Sequence, residues 1–484
     1  MSADRFACQS CEEYRELSRR GFMRASAAAT ASAAVLGSVP AWLPRVAFAR
    51  DPGPSGPRDV IISIYLRGGA DGLSLCVPFD DPVYTAAGTR PTLRVYAPDD
   101  TSQPEGKRAL ALANNAIVGG STTYHFGFHP ALAGLIPAYT DGKLAVIHGA
   151  GLTSTNKSHF DAQRWMETGQ AGNAGLITGW LGRHLNLSLP INPTTALRAI
   201  GVADGLQRTL VGGPLTLPVP NLKNNPGAVP LLNNLAAVTQ TNTNGYGLSG
   251  TSTTNAARRS VLGQMHAGVP DPLAAAALNT LNTVDRLNQI GAGGYTPANG
   301  AVYPAHAFGY SMRSAAALIN ANDNASVNQT VEAIAIDTGS WDTHSGQFSY
   351  NTTTGAFTGA MVTEMSELAD GLGAFYRDVI AGRGKRVTIT CISEFGRRVG
   401  ENGTIGTDHG YGNVMMVLGS HVLGGRVLGT WNGLPGGNAT SQDVPVTTDI
   451  RHILAEVIDK RLNNAQNLGA IFPGFTPVYR GLFA

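Results

Sequence analysis

The stretch DVIISIYLRGGADG, residues 59–72, decides the fold. DVIISIYL (59–66) is an apolar run rich in β-branched residues, and RGGADG (67–72) is a glycine turn. A short apolar run closed by turn residues predicts a strand buried on both faces. Four runs of the same kind follow: KLAVIHGAG (143–151), ALRAIGV (196–202), VEAIAIDTG (331–339) and KRVTITCISEFG (385–396). VMMVLG (414–419) is a shorter one. Between and after them HPALAGLIPAYTDG (129–142), HFDAQRWMETG (159–169), DPLAAAALNTLNTVDRLNQI (271–290), MVTEMSELADGLGAFYRDVIAG (361–382) and DIRHILAEVIDKRL (449–462) read as helices. Strands separated by helices predict an α/β fold, with a mainly parallel central sheet covered by helices on both faces.

In such sheets ligands gather where strands give way to loops at their carboxyl ends. Those places carry a consistent set of side chains. Asp71 lies in the first glycine turn, and Ser158 and His159 stand after strand 143–151, just ahead of a helix. Asp337, Asp342 and His344 follow strand 331–337, and Glu394 and Arg397 follow strand 385–392. GTIGTDHGYGN (403–413) then sets Asp408 beside His409 among glycines, ahead of strand 414–419. Adjacent side chains on an extended backbone point to opposite faces, but a glycine turn can bring both onto one point. An oxygen ligand and an imidazole aimed together suit a divalent metal. Each residue also has a plainer explanation. Asp71 could cap its turn, Ser158 could cap the helix behind it, and Glu394 with Arg397 could form an ion pair.

The remainder of the chain limits the choices. A formal charge of +2 over 484 residues, with no Lys/Arg-rich run after the N-terminal region, argues against a nucleic-acid partner. No apolar stretch beyond the leader is long enough to span a bilayer. The leader itself, residues 1–49, has Arg19-Arg20, Phe22, an Ala-rich segment and a small-x-small end at Ala47-Phe48-Ala49. That layout predicts a twin-arginine export signal and a periplasmic or secreted protein of residues 50–484. Cys8 and Cys11 would leave with it, so only Cys76 and Cys391 persist, beside strand-like runs where buried thiols are common. Residues 219–260, rich in Asn, Thr, Ser and Gly, read as an irregular insertion in a single domain.

From YLRGGADGL through SHFDAQ, DTHSGQ and SEFGRR to ENGTIGTDHGYGN, the chain resembles the DUF1501 family of secreted bacterial proteins. That family is in turn similar to the alkaline phosphatase and sulfatase superfamily. The resemblance implies an alkaline phosphatase-like fold, with Asp71, Ser158, Asp408 and His409 holding one metal. It also implies that Asp342 and His344 help hold a second. Asp342 and His344 are one residue apart, where the superfamily usually has three. Its last histidine also has no counterpart in SQDVPVTTDI (441–450), which leaves His421 and His125 as substitutes.

Carboxylates with imidazoles suit Zn, Mn or Mg, as one or two ions. A metal beside Ser158 would ease loss of its proton, and the helix start behind it would favour an anionic ester. His159, Arg397 and Arg67 are the candidates for gripping ester oxygens. The expectation is a metal-dependent hydrolase of phosphate or sulfate esters, small or polymeric, acting through Ser158. The alternative is a non-catalytic, metal-stabilised binding or surface-assembly protein. A lipase-type serine hydrolase lacks its G-x-S-x-G elbow here, and RGGADG lacks the G-x-G-x-x-G spacing of a nicotinamide enzyme.

Overall fold

A computed structural model describes residues 57–153, 156–202, 205–219, 283, 295–325 and 330–484. The leader, Cys8, Cys11, nearly all of the insertion at 219–260 and the helix expected over 271–290, apart from position 283, lie outside the described residues.

Nine strands form the main sheet: β1 (Val60–Leu66), β2 (Leu144–Gly151), β3 (Ala199–Val202), β4 (Thr216–Val219), β5 (Ala333–Thr338), β6 (Val387–Ser393), β7 (Asn413–Gly419), β8 (Arg426–Leu428) and β9 (Thr448–Asp449). Their order is β8-β2-β7-β6-β1-β5-β3-β4, with β9 also paired to β2. The opening stretch lies at the centre. β1 pairs with β6 on one side (Ile62 opposite Ile389) and with β5 on the other (Ile62 opposite Ile334), parallel in both cases.

The sheet is mixed, which corrects the expectation of a mainly parallel one. β7 runs antiparallel to both β6 and β2. The reason lies in residues 394–412, which contain no helix. A parallel return needs a crossover, usually a helix, whereas a chain that simply turns back comes home antiparallel. The consequence for the site is direct. The segment before an antiparallel strand meets the carboxyl ends of its parallel neighbours, so Asp408 and His409 reach the edge carrying Asp342 and Glu394.

Alternation along the strands divides the core between two faces. On one face Ile62, Ile64 and Leu66 pack with α3 (Ala307–Ala321) and α4 (Ala360–Phe375). On the other, Ile61 and Tyr65 share a cluster with α1 (His159–Thr168), α2 (Trp180–Leu187) and α5 (Ile450–Lys460). Burying one such aliphatic side chain is worth about 1.5–3 kcal/mol, so both helical layers are strongly held. α4 runs on into a π-helical turn at Tyr376–Gly382. The helix expected over 129–142 is instead a 3-10 segment, Pro130–Leu135, leading into a short α-helix, Ile136–Thr140. Cys76 and Cys391 are buried free thiols. Among the described residues no helix is long and apolar enough to cross a membrane.

Candidate functional site

Four strand-end loops and the start of α1 converge at one edge of the sheet. The close approach depends on glycine. At Gly68 φ is +120°, and a Cβ there would stand 2.5 Å from the Asp342 backbone nitrogen. A Cβ on Gly406 would stand 2.2 Å from the His344 carbonyl carbon. Only backbone without a side chain lets these loops touch.

At the meeting point three imidazoles face the carboxylate of Asp342. His344 Nε2 is 3.1 Å from Asp342 Oδ1 and His409 Nε2 is 3.2 Å from the same oxygen. His159 Nε2 is 3.4 Å from Oδ2, and His344 Nε2 is 2.9 Å from His409 Nε2. His159, Asp342 and His409 each offer a ligand atom within 4.8 Å of the other two, and His344 joins through Asp342 and His409.

Each ring is held from behind at Nδ1. His409 Nδ1 lies 3.1 Å from the Lys157 carbonyl oxygen, and His344 Nδ1 lies 3.3 Å from Asp408 Oδ1. His159 Nδ1 lies 2.6 Å from Glu394 Oε1, which also accepts from the Gly68 N–H at 2.7 Å. Carbonyls and carboxylates only accept, so each ring can place its hydrogen at Nδ1 toward these partners or at Nε2 toward Asp342. With hydrogen at Nδ1, every Nε2 presents a lone pair toward Asp342. Histidines that ligate metals are oriented in this way by outer acceptors.

The electrostatics agree. Burial and the Arg397 charge hold His409 below the ordinary imidazole value, against the Asp342 contact. Burial would raise the Asp342 carboxyl, but the hydrogen bond and charge of Arg397, with His409 and His344, outweigh it and hold the group low. Asp408 is likewise held low against its burial by Asn402 and His344. Glu394, its side chain fully buried, is pushed up by desolvation despite His159. The groups that touch the three rings bring three carboxylates (Asp342, Asp408, Glu394) and one guanidinium (Arg397), while Arg398 adds a weaker positive field at Asp408.

Every nitrogen of Arg397 is engaged by the protein. Nε donates to the Gly69 carbonyl (2.5 Å), Nη1 to the Thr407 carbonyl (2.8 Å) with His344 Nε2 at 3.5 Å, and Nη2 to the Gly68 and Trp341 carbonyls and Asp342 Oδ1 (2.6, 3.2 and 2.6 Å). It ties three loops together under the imidazoles. Arg67 is similarly engaged, bridging Glu167 and Asp337. Asp337 itself is pushed up to about 6, chiefly by burial.

The structure does not bring Asp71 to the imidazoles. Its buried carboxylate receives Arg90 on both oxygens (2.6 and 3.0 Å), Ser74 Oγ at 2.6 Å and Gln347 Nε2 at 2.9 Å. Asp408 stands behind His344 rather than beside His409's Nε2. Ser158 occupies the N-cap position of α1, is exposed, and makes no side-chain cap bond. His421 sits beyond β7 at the opposite edge, against Ser420 and Arg386, and His125 pairs with Asp80. Sequence reasoning assigned no role to Asn402, whose amide reaches Asp408 Oδ1 at 3.1 Å and the His344 carbonyl at 2.9 Å. An asparagine just ahead of a glycine loop was its only signal.

No curated protein and no solved structure matches the chain. Residues 323–463, the span that carries Asp342, His344, Glu394, Arg397, Asp408 and His409, are similar to the family described as "Protein of unknown function (DUF1501)".

Proposed function

We propose that this edge of the sheet holds a divalent cation and that the protein is a metal-dependent hydrolase of phosphate or sulfate esters. One observation carries the reading. His344 Nε2, His409 Nε2 and Asp342 Oδ1 lie 2.9–3.2 Å apart, and His159 Nε2 lies 3.4 Å from Asp342 Oδ2. Acceptors brought that close repel unless a proton or a cation lies among them. Ligand atoms bonded at about 2.0–2.1 Å to a common ion stand about 2.9–3.4 Å apart at tetrahedral to right angles. The excess of carboxylates over guanidinium around the rings favours a double positive charge. Imidazole nitrogens with one carboxylate suit Zn or Mn better than Mg.

A cation held there would supply Lewis acidity, polarising an ester oxygen and easing deprotonation of a nearby hydroxyl or water. The chain's own residues do the rest. Glu394, Asp408 and the Lys157 carbonyl keep the Nε2 atoms turned inward, and Arg397 locks Asp342 in place. Ser158 is the candidate nucleophile, since its hydroxyl makes no cap bond and it immediately precedes His159. The N–H groups that open α1 favour an anionic ester nearby. An exported protein is the natural setting for the leader, and the alkaline phosphatase-like comparison belongs with this reading.

Arg397 on Asp342 Oδ1 favours a second reading, because a cation already sits on one ligand oxygen. In that case the scaffold binds or assembles without catalysis. Assaying 4-nitrophenyl phosphate and 4-nitrophenyl sulfate with metal-loaded, metal-stripped and His409→Ala protein separates the two. Turnover that needs both metal and His409 supports the hydrolase. Tight metal binding with no turnover of either ester leaves the binding protein.

A further inference from the structure

We infer that Asn402 is a positioning residue that selects the tautomer of His344 by holding Asp408. The inference deepens the cation-site reading and rests on it for its metal-binding consequence alone. The two amide hydrogens of Asn402 go to different acceptors, Asp408 Oδ1 at 3.1 Å and the His344 carbonyl at 2.9 Å. Its Oδ1 accepts from the Thr404 N–H (3.0 Å) and the Gly406 N–H (3.0 Å), while the single hydrogen of the Thr404 hydroxyl lies between Asn402 Oδ1 (2.9 Å) and the His344 carbonyl (2.7 Å). The amide cannot be turned over, since its oxygen would then face two acceptors. The residue therefore does two separable things. Its oxygen caps the 402–406 turn, and its nitrogen ties that turn to both ends of the His344 arm.

The turn is built to stay in place. Ile405 is held at φ +57°, a strained conformation for a β-branched residue. Its carbonyl takes the Gln347 N–H at 2.7 Å, and the Thr404 carbonyl takes the Gly346 N–H at 2.9 Å. Asp408 is nearly half exposed (45%), so nothing in its burial fixes the carboxylate. The Asn402 amide supplies that constraint. Asp342 Oδ1 stands 3.1 Å from His344 Nε2 and Asp408 Oδ1 3.3 Å from Nδ1, so the two carboxylates compete for the ring hydrogen. Holding Asp408 in place tips it to Nδ1 and leaves the Nε2 lone pair toward Asp342 and His409.

The test uses Asn402→Asp, which keeps an oxygen for the turn and replaces the donor with an acceptor. Asn402→Ser is the second variant, keeping a turn-forming oxygen too short to span to Asp408. Thr404→Val is the control, removing the hydroxyl that reaches Asn402 Oδ1 and the His344 carbonyl while leaving the Asn402 amide in place. In metal-free protein at pH 8, proton–nitrogen correlation spectra of the histidine rings read the tautomer. The parent and Thr404→Val are expected to show His344 protonated at Nδ1. Asn402→Asp and Asn402→Ser are expected to show mixed tautomers and about 10–100-fold weaker Co(II) binding by titration. An unchanged His344 tautomer in both Asn402 variants overturns the inference. A Thr404→Val spectrum shifted as far as theirs also overturns it, because the turn and its contact with the His344 carbonyl, rather than the Asn402–Asp408 bond, would then be responsible. If the parent itself binds no Co(II), the cation site is lost, but the tautomer comparison still decides the role of Asn402.

Discussion

Replacing Arg397 with Met should unfold the site's framework rather than weaken the grip on a substrate. The side chain is fully buried and its three nitrogens donate to the carbonyls of Gly68, Gly69, Trp341 and Thr407 and to Asp342. Methionine matches much of the volume but donates nothing, so four carbonyls lose their partner. A buried acceptor left unsatisfied costs about 1–3 kcal/mol, and partial access to water brings each toward the low end. Asp342 is 41% exposed and can be hydrated, so it contributes little to the sum. The total is about 4 kcal/mol, in the range for removing one partner of a buried pair. For a chain of this size that lowers Tm by about 5 °C. Differential scanning calorimetry of parent and variant without metal measures it. The reasoning is refuted if Arg397→Met melts within about 1 °C of the parent while KM for an aryl phosphate rises tenfold. That pattern belongs to a residue that touches substrate.

Four further outcomes are expected. Asp71→Ala leaves Arg90 buried without its carboxylate and should cost about 3–5 kcal/mol while leaving bound metal unchanged, whereas a ligand role would lose the metal. Burial alone would raise the Asp71 carboxyl, but Arg90, Ser74 and Gln347 hold it below its ordinary value. The stability from this group is therefore complete above about pH 4 and lost as pH falls through the folded value, so urea unfolding between pH 5 and 2 should be steeper in pH for the parent than for Asp71→Asn. Ser158→Ala removes no cap bond and should change stability by less than about 0.5 kcal/mol, and an unchanged turnover of 4-nitrophenyl phosphate would exclude this hydroxyl as the nucleophile. Glu394→Gln weakens the acceptor behind His159 Nδ1 and should reduce Zn(II) affinity about 10–100-fold, with equal affinity showing that His159 takes no part.

Six of the nine strands were legible because their buried centres are β-branched and largely apolar, as in DVIISIYL, VEAIAIDTG and KRVTITCISEFG, whereas β4, β8 and β9, two to four residues long, were too short to leave a pattern. Strand direction was not, since VMMVLG reads the same either way. The helix-free interval 394–412 was the usable clue to its reversal. At the site, loops at strand ends put Asp342, His344 and His409 within reach of one another. Nothing local revealed that Arg90 would take Asp71, because that pairing depends on a loop returning across the sheet edge. Glu394 and Arg397 are close in sequence yet serve different partners, His159 and Asp342, since the loop between them is not helical. The tautomer-setting contacts of Lys157, Glu394 and Asp408 are likewise a property of three dimensions.

The most direct measurement of the central claim is the metal content of purified protein after incubation with Zn(II) or Mn(II) and removal of excess ion, read by elemental analysis beside His344→Ala and His409→Ala. One equivalent of cation in the parent, reduced at least tenfold in each variant, is the predicted result. A parent that retains no metal, or variants that retain as much as the parent, would contradict it.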